Sequence, residues 1–335
     1  MKKPTLRDVA RLAGTSVSTA SVVLSRTSNK FVSDELRRKV MEAAAQLQYR
    51  PNIPARRMRG KPGRFLAILV PQCENVYFNR IVISAENYAN AHDYTLSIFS
   101  TFDEEERELK FINNLISLQV DGVLISPAQY KSKSVDLLRQ VGIPFVVIDR
   151  PVEGTNFDFV TTDYYQGGYQ AARILLSSGH RKLAFFGWAR PLKVIADRRA
   201  GFEAAVREAG IPLEEVVFWE GERKREAACQ AAHEILPRTE ITAIFAGHHQ
   251  IGEGIVDALR EQGKRIPEDV SVVIFGNPPW ASIISPRLTC IAQPESAIGA
   301  RAAELMIRRL ENPDHTPGTY VLPIEVFERE SVRRL

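Results

Sequence analysis

At 335 residues, with 44% apolar and 25% charged side chains, the chain is too long for one ordinary core and has the balance of folded globular proteins, which argues against a disordered or membrane-embedded protein. No apolar run approaches the roughly 20 residues that span a bilayer, and the charged start Met1 to Asp8 has no apolar stretch behind it, so neither an anchor nor a secretory leader is expected and the cytoplasm is the expected compartment. The net charge of +4 hides a division: residues 1–61 carry 14 Lys and Arg against four acids, a net of +10, and the remainder carries 30 basic and 36 acidic residues.

A basic head on a mildly acidic body points to a polyanion partner for the head, because each phosphate contact releases condensed counterions. The head also has a helical pattern. From Leu6 to Ala13, Leu6, Val9, Ala10 and Ala13 share one face, and Gly14 permits the positive φ of a tight turn. Ser16 is placed to cap a second helix, with Ala20, Val23 and Leu24 turned inward. A third helix starts at Ser33, with Asp34 and Glu35 at its positive end, and buries Leu36, Val40, Ala43, Ala44 and Leu47. Three helices with the turn Gly14-Thr15-Ser16 make a helix-turn-helix over residues 1–48. Residues 49–61 read as a linker able to form one short helix, with Pro54 near its start and Gly60 at its stop.

From Phe65 onward short apolar runs alternate with amphipathic helices. The runs are Phe65 to Val70, Thr95 to Phe99, Gly122 to Ser126 and Pro144 to Asp149, and the motif starts again at Phe159 to Thr161. It continues with Lys182 to Phe186, Val216 to Trp219, Ile241 to Ala246 and Val270 to Phe275. This predicts two doubly wound α/β units over residues 62–335, the first roughly 62–160 with part of 292–325, the second roughly 161–290 with the end of the chain. Ligands in such folds sit beyond the carboxyl ends of the strands, so the cleft between the units is the expected site. Cys73, Cys229 and Cys290 lie in apolar stretches and are expected to be reduced core thiols; no metal site and no cofactor are expected.

Thr5 to Ser21, then Val32-Ser33, then Tyr49-Arg-Pro-Asn52, resemble the head and hinge of the lactose/galactose repressor (LacI/GalR) family. The likeness runs on through Asp163, Gly167-Gly168, Ser178 to Lys182, Arg198 to Phe202, Ile266 to Val273, Ser285 to Thr289 and Glu328 to Ser331, and so covers nearly the whole chain. It implies a homodimeric, non-enzymatic transcription repressor, nucleoid-associated when bound, with a periplasmic-binding-protein-like sensor and a small-molecule effector. Two heads would bind double-stranded DNA at a pseudo-palindromic operator, each laying the helix from Val17 to Ser25 in the major groove.

Within that resemblance Val17, Ser18 and Val22 take the base-facing positions. Val22 stands where the family commonly has Arg, so relaxed or thymine-preferring readout is expected there. Thr5, Ser16, Thr19, Ser21, Asn29, Tyr49 and Asn52 match backbone contacts. In the hinge, Met58 matches a Leu that wedges into the minor groove, Ala55 lets paired hinges approach, and Arg57 with Arg56 and Arg59 adds phosphate attraction.

For the effector the resemblance marks Tyr77 and Phe78 as a stacking pair, Asp149 as an acceptor and Arg198 as a donor. His248-His249 replaces a usual Asn-Asp, Gly276-Asn277 replaces a usual Asp, and Arg223 falls where a stacking aromatic is usual. Fewer carboxylates and more basic groups suggest an anionic, sugar-derived effector held by Arg198, His248 and Arg223, with Asn277 nearby. Adjacent histidines rarely present both rings to one ion, so His248-His249 is not read as a metal site. An enzyme is disfavoured, since no Gly-x-Gly-x-x-Gly follows the first strand and neither a Walker sequence nor a Gly-x-Ser-x-Gly elbow occurs. A transport solute-binding protein would leave the basic head unexplained. Activator and corepressor-dependent behaviour stay open, because the sign depends on which cleft state favours DNA.

Overall fold

A computed structural model describes residues 4–25, 32–49, 63–312 and 314–335. Asn29, Asn52, Ala55, Arg57 and Met58, and nearly all of the expected hinge helix, lie outside the described residues. The head, residues up to 63, and the body from Arg64 to Leu335 are separate compact units.

In the head, α1 (Leu6–Leu12), α2 (Val17–Ser25) and α3 (Asp34–Gln46) enclose a small core of Val9, Ala10, Ala13, Ala20, Val23, Val40, Ala43 and Ala44. Each start is set by a side chain that satisfies a free first-turn N–H. The Thr5 hydroxyl accepts from the Asp8 amide of α1 at 3.4 Å, the Ser16 hydroxyl from the Thr19 amide of α2 at 3.1 Å, and the Ser33 hydroxyl from the Leu36 amide of α3 at 3.4 Å. Gly14 turns the chain between α1 and α2 at φ +66°.

The body follows a strand-helix rhythm. Its first part runs β1 (Phe65–Val70), α4 (Val76–Ala91), β2 (Thr95–Ser100), α5 (Glu105–Ser117), β3 (Gly122–Ile125), α6 (Lys133–Val141), β4 (Phe145–Ile148) and β5 (Asp158–Thr162). It continues with α7 (Tyr164–Ser177), β6 (Leu183–Trp188), α8 (Lys193–Glu208), β7 (Val217–Gly221), α9 (Arg225–Ile235), β8 (Ala243–Ala246), α10 (His249–Glu261) and β9 (Ser271–Phe275). It ends with β10 (Thr289–Ala292), α11 (Glu295–Glu311), β11 (Thr319–Leu322) and β12 (Glu325–Phe327).

Two six-stranded sheets result, ordered β11-β5-β4-β3-β1-β2 and β12-β10-β9-β8-β6-β7. Pairing is parallel throughout except between β10 and β12. The run Phe159 to Thr161, read from sequence as the start of the second unit, is instead paired with β4 and β11 in the first sheet. Strands buried on both faces carry no alternation to mark their sheet, so local pattern could not assign it.

Alternate residues of each strand feed opposite layers, as the pleat requires. Leu66, Ile68 and Val70 pack under α4 and α11, and Ala67 and Leu69 under α5 and α6. In the second sheet Leu183 and Phe185 meet α7 and α8, while Ala184 and Phe186 meet α9 and α10. The chain crosses between the lobes three times, after β5, β10 and β11, through connections of one or two residues. No helix of the described residues is long and apolar enough to cross a membrane.

Of the three thiols only Cys290 is buried; Cys73 and Cys229 are half-buried. The expectation of three core thiols is corrected to one, and burial pushes the Cys290 thiol up to about 11.

Candidate functional site: a DNA-contact helix and an effector cleft

The core takes Ala20 and Val23 from α2, which leaves Ser18 and Val22 on the other side of the helix and Val17 and Ser21 on its flanks. Val17 and Ser18 are exposed; Ser21 and Val22 are half-buried. The hydroxyls gather at the start of α2, where Ser16 Oγ lies 2.7 Å from Ser18 Oγ and 2.9 Å from Thr19 Oγ1. Hydroxyls and free amides at a helix start form an anion-accepting end. Thr5, exposed, donates its hydroxyl to Asp8 at 2.7 Å while capping α1. The half-buried Tyr49 rests against the head core, and its amide donates to the Ala44 carbonyl at 2.8 Å.

In the body, one cleft between the lobes collects side chains that follow the carboxyl ends of strands from both sheets. Tyr77, Phe78, Asp149, Arg198, Arg223 and His248 all line it. Asn277 does not. Its Oδ1 accepts from Arg329 near the chain end at 2.8 Å and its carbonyl from Arg80 of the first lobe at 3.3 Å. Sequence reading missed Tyr164, Trp188, Phe275, Gln293 and Arg150, which also line the cleft. The available signal was position alone: aromatics at or just past the ends of β5, β6 and β9.

Asp149 is the centre of the polar wall. It follows β4 at φ +66°, a left-handed conformation uncommon for a non-glycine residue, and is 3% exposed. Its Oδ1 accepts from the Tyr77 hydroxyl at 2.6 Å and from the Tyr164 hydroxyl. Gln293 Nε2 donates to the Tyr164 oxygen at 2.8 Å, and Arg150 Nε stands 3.7 Å from Asp149 Oδ2. Burial, then the Asp149 charge, hold both phenols well above their usual range, so Tyr77 and Tyr164 remain neutral donors.

Two guanidinium groups form the opposing wall. Arg198, on α8, donates to the Gly247 carbonyl and lies over the Phe275 ring at 3.5 Å from its centroid. Its buried Nε–H finds no hydrogen-bond partner among the described residues. Glycines let α8 approach: a Cβ on Gly168 of α7 would stand 1.8 Å from the Arg198 carbonyl, and one on Gly201 of α8 would stand 1.9 Å from the Tyr165 carbonyl. Arg223 stacks on Trp188 at 4.2 Å and donates to Gln72 Oε1, across the cleft, at 2.9 Å. Burial pulls both guanidinium groups down to about 10, because the nearby carboxylates only partly offset their lost hydration. Asp149 is the one carboxylate among the described residues lining the cleft.

His248 differs from expectation. Its Nδ1 accepts from the Gln250 amide at 3.2 Å as the cap of α10, and burial followed by His249 holds it well below the usual histidine range. It is a neutral ring and adds no positive charge of its own. His249 is likewise pulled down to about 4, by burial and then by Arg223. Gly276 faces this pair at φ +96°, where an added Cβ would come 3.2 Å from His249 Nδ1. The side chains leave about 50 Å³ of free space in the cleft, enough for a few waters at about 10–15 Å³ each.

The family described as bacterial regulatory proteins, lacI family, matches residues 5–52, and a periplasmic binding protein-like domain matches residues 172–332. The chain is 32% identical over 333 residues to the HTH-type transcriptional repressor PurR of Vibrio atlanticus, covering 99% of both chains. It resembles the ribose-bound LacI family transcriptional regulator of Enterococcus faecalis V583 with a TM-score of 0.74 at 30% identity, over 81% of this chain and 99% of that one. The operator-bound lac repressor dimer matches with a TM-score of 0.84 over 99% of this chain and all of that one; at 23% identity this likeness is one of fold.

Proposed function

We propose, from the premise that this chain belongs to the LacI family of DNA-binding transcriptional repressors, that its grip on operator DNA is set by a small anionic, sugar-derived molecule held between the lobes. The observation that carries the reading is the under-compensated pair Arg198 and Arg223, both with lowered proton affinity and one with an idle buried Nε–H. A carboxylate or phosphate would restore the missing charge and accept that hydrogen. Asp149, Tyr77 and Tyr164 suit the hydroxyls of the same molecule, and Trp188 with Phe275 its apolar face. His248 serves as a neutral hydrogen-bonding group, not as a cation. The ribose found in the Enterococcus faecalis relative supports a sugar frame. With only about 50 Å³ free, entry requires the lobes to part, which couples occupancy to their relative orientation.

At the head, Val17, Ser18 and Val22 are assigned to base edges, and Thr5, Ser16, Thr19, Ser21 and Tyr49 to the phosphate backbone, with Asn29, Asn52, Ala55, Arg57 and Met58 in the same interface. A second copy of the chain supplies the other half-site, as in the operator-bound lac repressor dimer. Calorimetry of the full-length protein against neutral and phosphorylated sugars, followed by operator binding at several salt concentrations, tests the reading. Tight binding of a neutral sugar alone would overturn the anionic effector. Loss of salt-sensitive preference for every inverted-repeat duplex would overturn the DNA role.

A further inference from the structure

Helices α9 and α10 lie side by side on the outer face of the second sheet. Cys229 and His233 are four residues apart on α9 and therefore on one helical face; Glu261 closes α10 beside them. Cys229 Sγ, a ring nitrogen of His233 and a Glu261 carboxylate oxygen all fall within 4.8 Å of one another. The His233 Nε2 to Glu261 Oε2 distance is 2.7 Å, and Cys229 Sγ to the same oxygen is 3.9 Å.

We propose that Cys229, His233 and Glu261 form a binding site for a divalent transition-metal ion of the zinc class. Thiolate, imidazole and carboxylate are the ligand types such an ion takes, and its bond lengths place neighbouring ligand atoms of a tetrahedron about 3.3–3.6 Å apart. The 2.7 and 3.9 Å spacings bracket that range, and the changes a bound ion would require are on the order of an ångström. Cys229 and His233 are half-buried and Glu261 is exposed, which leaves the fourth position to water and keeps the ion's path to solvent open.

The protonation chemistry balances. Burial, and then the Glu261 carboxylate beside it, push the Cys229 thiol up. On binding, the Cys229 proton leaves to solvent and a metal–sulfur bond forms. The imidazole gives up its Nε2 proton and takes one at Nδ1, where Gln262 stands at 3.3 Å and can present its amide oxygen after the amide turns over. One proton is released per ion, and thiolate plus carboxylate neutralise its two charges. Both helices start at the effector cleft, α9 two residues after Arg223 and α10 one residue after His248, so the ion would pin their far ends together.

Untagged full-length protein, stripped by a chelator, is titrated with Co²⁺. The expected result is one equivalent per chain, with a near-ultraviolet thiolate-to-cobalt absorption and tetrahedral visible bands that Zn²⁺ displaces. Cys229→Ser should abolish the near-ultraviolet band, and Glu261→Gln and His233→Gln should each weaken binding by more than about tenfold. Zn²⁺ should raise the melting temperature of the wild type and not of Cys229→Ser. Cys229 packs against the margin of the core, so circular dichroism of each variant verifies its folding. Absence of stoichiometric cobalt binding overturns the proposal. So does a thiolate band that persists in Cys229→Ser, which would place the ion elsewhere, or a His233–Glu261 pair that binds nothing and acts as a hydrogen bond only.

Discussion

Asp103 Oδ2 lies 3.1 Å from Nη1 of Arg190, joining the loop after β2 in one lobe to the loop after β6 in the other. The same carboxylate pairs with Arg150 of its own lobe, and only 6% of its side chain is exposed. These two links differ in what their loss leaves behind. Arg190→Gln removes this one of the ties between lobes but leaves Asp103 paired, so we expect a loss of about 1 kcal/mol with faster amide exchange in the loops at 101–104 and 189–192. Asp103→Asn takes away the charge that pairs with both Arg190 and the buried Arg150, leaving Arg150 with Asp149 at 3.7 Å and the Pro127 carbonyl, and should cost more than Arg190→Gln, about 2–3 kcal/mol. Urea unfolding of both variants tests the ranking; equal losses would mean that Arg150 is adequately held by other partners.

Gly168→Ala places a methyl within 1.8 Å of a backbone carbonyl, and backbone cannot step aside as a flexible side chain can. Prising α7 from α8 should destabilise the chain by about 1–3 kcal/mol or more. Because α8 carries Arg198, effector affinity should fall as well. Thermal denaturation alongside calorimetry separates the two effects, and an unchanged melting temperature would show that the helices re-pack freely.

The histidine pair makes stability depend on pH. His249 binds its proton at about 4 in the folded chain and near 6.5 once unfolded. Between those values the unfolded state holds more protons, so stability rises with pH through this window and is lost as pH falls from 6.5 toward 4. The full effect for His249 is up to about 3 kcal/mol, with His248 acting in the same direction. Urea unfolding at pH 4.5 to 7, compared with His249→Asn, should show a shallower slope in the variant. Identical slopes would rule out the pair as the source.

Val22→Arg would put a two-pronged donor on the presented face of α2. Selection from random half-sites should then enrich guanine at one position where the wild type tolerates substitution or favours thymine, a discrimination of about 1–3 kcal/mol. If both proteins select the same base, Val22 does not face the bases.

Local signals carried much of this fold. Gly14 with Ser16 and Ser33 defines the head because turns and caps are short-range chemistry, and the apolar runs from Phe65 onward define parallel strands for the same reason. Lobe membership was not local: Phe159 to Thr161 would suit either sheet, and only pairing with β4 and β11 decides it. In the cleft, the family resemblance placed Tyr77, Phe78, Asp149, Arg198, Arg223 and His248 together, but the charge on His248 follows from burial, which a matched position does not report. Asn277 was misplaced because the residue that occupies it, Arg329, arrives from the far end of the sequence. The cluster at Cys229 escaped notice for a similar reason: Cys229 and His233 were in plain sight, but their third member is 28 residues beyond His233.

The threefold passage of the chain between sheets fixes when each lobe can close during synthesis on the ribosome. The first sheet waits for Leu322 and the second for Phe327, so neither half is finished until both nearly are. Until then the face of the first sheet that α11 covers and one edge of each sheet stay open, while the head has already emerged. A nascent repressor of this design has its DNA-reading end ready before its sensor exists.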